Sequence, residues 1–94
     1  MKLIKQISGN DVEHWVDMLH GEYLILNSYS TGKPCGIVFK CPGCNEPLSI
    51  SNTPDKPSWN IDFDKLTATP SILHKRDGNG CGWHGYLTNA ELHT

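Results

Sequence analysis

The sequence predicts an α+β fold, mainly β: one N-terminal helix followed by a small antiparallel β-domain clipped by zinc, in the manner of a zinc ribbon. Three observations carry this. Val12, Trp15, Val16 and Leu19 recur at i, i+3, i+4 and i+7, which is one face of a helix. Beyond Gly21 the apolar runs are strand-length and are separated by Gly, Pro, Asn and Asp. Two short pairs of soft donors, Cys41-Pro42-Gly43-Cys44 and Cys81-Gly82-Trp83-His84, have the spacing from which tetrahedral zinc sites are built.

Taken in order, the helix is expected over 11–20. Asn10 is placed to cap it, Glu13 to close a capping box, and Gly21 to end it. Glu22 to Asn27 and Gly36 to Lys40 read as strands, and Leu48-Ser49-Ile50 as a third. Trp59, Ile61 and Phe63 alternate with Asn60, Asp62 and Asp64, the period of a half-buried strand. Ser71 to His74 and Gly85 to Thr88 complete the set. Turns are expected at Thr31 to Pro34, Asn52 to Pro57 and Asp77 to Gly80, the last delivering Cys81.

The chain has 94 residues, 37% hydrophobic, and a mean hydropathy of −0.42. It is expected to form a single zinc-stabilised domain, 1–94, with a helical segment over 1–21 and a β-rich metal-binding core over 22–94. So thin a core benefits from a metal staple. Ten acids against eight bases give a net charge of −2, and only Lys75 and Arg76 are adjacent cations. A phosphate-backbone binder normally carries a basic stripe, so nucleic acid is a poor fit as partner and a protein is the better one. No stretch has the apolar length of a membrane span, and 1–7 lacks the apolar run of a secretory leader. Two disulfides are the alternative use of four cysteines, but they would leave His84 without a role. A reduced, cytoplasmic setting fits better, in a bacterium or a phage-infected host.

Cys41, Cys44, Cys81 and His84 are therefore the expected metal ligands, with Zn²⁺ the cofactor. A closed set of three cysteines and one histidine leaves no open coordination position, so the metal is expected to be structural. Cys35 offers an all-cysteine alternative that would displace His84. His74 lies on the strand leading into the second pair, either as a surface residue or as a group beside the metal. His20-Gly21-Glu22 before a Cys-x-x-Cys has the outline of a zinc deaminase, but Lys40 stands where that pattern has proline, and Cys81 and His84 would be unused. A Rieske centre would need a histidine in the first pair.

From about Gly21 onward the order of features resembles a phage and bacterial domain family of unknown function, some of whose members are labelled ammonia monooxygenase. The features are Gly21-Glu22-Tyr23, the cysteines Cys41 and Cys44, Trp59, Pro70-Ser71-Ile72, and Cys81 to His84 followed by Tyr86-Leu87-Thr88. The resemblance implies a small metal-bound β-domain. Nothing in these residues matches the labelled activity, because there is no copper-type histidine cluster.

Three functions remain on the sequence alone. The first is a binding or adaptor module with structural zinc and no catalytic residues, since no nucleophile–base pair is visible in local sequence. The second is a small zinc-dependent hydrolase with a site near His74 and Ser71, or near His74 and one of Asp62 and Asp64. The third is a nucleic-acid-binding zinc ribbon.

Overall fold

The computed structural model describes residues 1–8, 14–52, 58–76 and 80–94. These form eight strands: β1 (Lys5–Ile7), β2 (Glu22–Asn27), β3 (Pro34–Lys40), β4 (Pro47–Ser51), β5 (Asn60–Asp62), β6 (Thr67–Leu73), β7 (His84–Thr88) and β8 (Glu91–His93). They build two four-stranded sheets, β1-β2-β3-β4 and β5-β6-β7-β8. Neighbours are antiparallel except β1 and β2, which run parallel.

Burial explains why β3 reads as an unbroken apolar run. Ile37, Val38 and Phe39 are all fully buried, because both faces of this central strand are covered. Ile37 and Phe39 face the second sheet, joining Leu48, Ile50, Ala68, Ile72, Leu87 and Leu92 in one core. Val38 faces the other way, onto Ile7, Met18 and Leu24. In the second sheet only one face is buried, so β7 alternates: Gly85 and Leu87 point in, and His84, Tyr86 and Thr88 point to solvent. β7 and β8 are joined through Asn89 (φ 49°) and Ala90 (φ 67°), the two positive φ values of a tight hairpin turn. At this turn the Leu3 amide donates to Ala90 O (2.7 Å), and the Ile4 amide donates to Gly21 O (2.8 Å), so the first residues strap the two sheets together.

The expected N-terminal helix is not formed. Its cap residues Asn10 and Glu13, with Asp11 and Val12, lie outside the described residues. Of the rest, only Trp15–Asp17 make a single 3₁₀ turn, flanked by extended His14 and Met18. The fold is β, without the helical segment expected over 1–21. Trp15, Val16 and Leu19, which a helix would have buried, are 42%, 52% and 67% exposed, whereas Met18 is buried. A helical period is stable only when its apolar stripe meets a core. Here the outer face of β3 needs one side chain, and Met18 supplies it from an extended segment. Side chains then pin that segment to the first sheet. Lys40, itself buried, donates from Nζ to Val16 O. His20 is held against the turn after β3, as described below.

Candidate functional site

Two adjacent constellations sit where the hairpin of β6 and β7 meets the turn between β3 and β4. The first is a cluster of donors. Cys41 follows β3 directly, and its amide donates to Glu46 O (3.0 Å), closing a tight turn in which the Cys44 amide reaches Cys41 O (3.3 Å). Inside the turn the Gly43 amide donates to Cys41 Sγ (3.4 Å). Gly43 is required by space: a Cβ there would lie 2.8 Å from Cys81 Sγ. From the other sheet come His74, just past β6, and Cys81, just before β7. The His74 amide donates to Trp83 O and the Gly82 amide to His74 O, each at 2.8 Å, which continues the β6–β7 ladder up to the cluster.

The ligand atoms of Cys41, Cys44, His74 and Cys81 all lie within 4.8 Å of one another, a set able to hold a metal ion. Cys41 Sγ is 3.8 Å from Cys81 Sγ, and Cys44 Sγ is 3.7 Å from His74 Nδ1. Two such separations match edges of a tetrahedron whose centre stands about 2.3 Å from its corners, close to the bond lengths of a Cys/His metal centre. Burial pushes the bare Cys41 thiol up to about 12, reinforced by hydrogen bonds with Cys81 and Cys44 and opposed by the Gly43 amide. Cys81 goes the other way, pulled below its ordinary value first by a backbone hydrogen bond from Trp83. A cation among these sulfurs would offset the cost of a buried thiolate at Cys41.

Three of the four expected ligands are brought together in this group, whose histidine is His74; His84 lies outside it. Its place is taken by His74, because alternation along β6 and β7 puts His84 on the exposed outer face, while His74 lies where β6 turns toward the cysteines. Cys35 lies on β3 away from the group, and none of the four cysteines forms a disulfide. The residues of the deaminase outline serve the fold instead. His20 Nε2 donates to both Cys41 O and Cys44 O (3.1 Å each), clamping the turn. The Glu22 carboxylate accepts the Leu19 amide at 2.8 Å.

The second constellation is a pair. On the outer face of the second sheet, Ser71 Oγ and His84 Nε2 are 2.9 Å apart. Ser71 sits in the stretch between Ala68 and Ile72 where β6 bulges against β7, and its carbonyl accepts the Trp59 indole N–H at 3.3 Å. A hydroxyl within hydrogen-bond reach of an exposed imidazole is the arrangement from which a serine nucleophile is activated. The pair is invisible in local sequence because its members are 13 residues apart. The register Leu73↔His84 joins them, and Pro70-Ser71-Ile72 is the only local hint of it. Asp62 and Asp64 take no part: Asp62 Oδ1 accepts the Asp64 (3.0 Å) and Lys65 (3.1 Å) amides in the turn after β5.

The family model BubE, described as the serine protease of a bacterial ubiquitination-like system, matches residues 11–94. The chain belongs to this family. No curated protein and no solved structure matches it. The BubE description takes the place of the ammonia monooxygenase label carried by the resemblance. Among the described residues no helix is long and apolar enough to cross a membrane.

Proposed function

We propose that the chain is a serine protease of a bacterial ubiquitination-like system, with Ser71 as nucleophile, His84 as general base, and a structural Zn²⁺ held by Cys41, Cys44, His74 and Cys81. The observation that carries this reading is the 2.9 Å contact between Ser71 Oγ and His84 Nε2 on an exposed face, in a chain whose family is described as a serine protease. Neutral His84 accepts the hydroxyl proton at Nε2 as Ser71 Oγ attacks a substrate carbonyl. The same nitrogen then returns the proton to the leaving amine, and water repeats the cycle to hydrolyse the acyl-serine.

Three thiolates and one imidazole are the ligand chemistry of structural zinc. Four protein ligands leave no open position, so the hydrolytic step belongs to Ser71 and His84. The metal's part is mechanical. It ties the turn after β3 to both arms of the β6–β7 hairpin, three residues from Ser71 on one strand and three from His84 on the other. That staple holds the two strands at the spacing the pair needs. The protein partner expected from the sequence is then the polypeptide substrate, and a reducing, cytoplasmic setting keeps the thiols available for metal.

The test is a fluorophosphonate probe that modifies activated serines, read by intact mass and peptide mapping on metal-loaded protein. The expected result is one adduct on Ser71, none with Ser71→Ala, and strongly reduced labelling with His84→Ala while metal content is unchanged. A folded, metallated protein that leaves Ser71 unlabelled overturns the proposal.

A further inference from the structure

The β5–β6 ladder stops short of the Ser71–His84 pair. Its last register pair is Asn60↔Thr69. The next residue on β6 is Pro70, which has no amide hydrogen to give, and opposite it the Trp59 amide turns away to Ser51 O in the other sheet (2.8 Å). Beyond that point β6 runs on to Leu73 with no strand on that side among the described residues. Which backbone groups face this gap follows from alternation. The His74 amide and carbonyl point to β7, bonded to Trp83 and Gly82. The residues of opposite parity, Ser71 and Leu73, therefore point away from β7, and the Trp59 indole on Ser71 O agrees. By the same alternation the Leu73 amide and carbonyl point to this edge, and its side chain is 51% exposed.

Leu73 also lines a groove together with Lys75, Arg76 and Gly82. Arg76 Nε donates to Cys81 O (3.2 Å), which holds its guanidinium at the groove. Among the described residues neither Lys75 nor Arg76 is in an ion pair. They are the chain's only adjacent cations, in a protein of net charge −2. A strand edge beside a nucleophile, followed by two adjacent cations with no ion-pair partner among the described residues, fits one kind of ligand: an extended chain that pairs through its backbone and carries carboxylates.

We infer that the substrate is an extended acidic polypeptide segment that adds as a strand to the edge of β6 at Leu73, beside Ser71, with its carboxylates meeting Lys75 and Arg76. This rests on the serine-protease reading. Lys75 and Arg76 follow Ser71 at the fourth and fifth positions, so on a paired strand the acidic positions fall roughly three to five residues from the bond presented to Ser71.

The experiment uses internally quenched peptide libraries with Asp/Glu, Ala or Lys fixed at the third to fifth position on either side of a randomised bond. The metal-loaded protein is expected to cleave the acidic library about tenfold faster than the lysine library, as charge complementarity at an accessible groove allows. Lys75→Glu, alone and with Arg76→Glu, is expected to lower or reverse that ratio; the single variant spares the Arg76 contact to Cys81, and metal content and melting temperature check its fold. Cleavage without charge preference, or a preference that survives Lys75→Glu, overturns the inference. So does a protein that labels with fluorophosphonate yet cleaves none of the libraries. Failure of both labelling and cleavage strikes the serine-protease reading itself.

Discussion

His74→Ala and His84→Ala are predicted to have opposite consequences. Structural zinc contributes on the order of 10–16 kcal/mol in small peptide sites. Shared over four donors, one ligand is worth roughly 3–4 kcal/mol, or about a 10²–10³-fold loss of affinity. His74 holds a corner of the Cys41, Cys44, Cys81 cluster, so His74→Ala is expected to lose metal by about that factor. Against a total stability of about 5–15 kcal/mol, it should also lower the melting temperature sharply. His84 is exposed and its side-chain hydrogen bond among the described residues, to Ser71, is worth about 1 kcal/mol net in that setting. His84→Ala should keep one zinc per chain and nearly the parent melting temperature, and lose labelling of Ser71. Elemental analysis after dialysis against a graded chelator, beside a thermal melt, reads both. The reasoning is refuted if His84→Ala releases metal while His74→Ala retains it, or if both variants stay fully metallated.

Gly43→Ala should weaken metal binding without touching a ligand, because the new methyl would sit 2.8 Å from Cys81 Sγ; faster zinc transfer to a chromogenic chelator checks this. Metal uptake should release protons and strengthen as pH rises. The apo Cys41 thiol, pushed up to about 12 by burial, keeps its proton at neutral pH, and the metal must displace it. The measurement is proton release on zinc addition at about pH 8, and metal loss on acidification. A pH-independent affinity would contradict it.

How much of this was legible in the chain follows from the range of each interaction. Strand-length apolar runs, the alternation of Ile61 with its polar neighbours, and the turn at Thr31 to Pro34 are local features, and β2 forms over Glu22–Asn27 as its residues predict. Cys41-Pro42-Gly43-Cys44 is likewise a local turn that presents two thiolates to one point whatever surrounds it. The helix expected over 11–20 rested on a periodicity that has meaning only against a surface to cover. Packing chose Met18 instead and left Trp15, Val16 and Leu19 exposed. β8 escaped notice because Asn89-Ala90 lacks the glycine that marks such a turn, yet both residues adopt positive φ. His74 and His84 differ by where β6 ends and which face β7 presents, and both are decided by pairing across the hairpin. The sequence by itself determined a β-rich chain with three cysteines poised for metal. Only the tertiary structure decided which histidine joins them and which meets Ser71, because strand register, and not spacing along the chain, sets which side chains share a face.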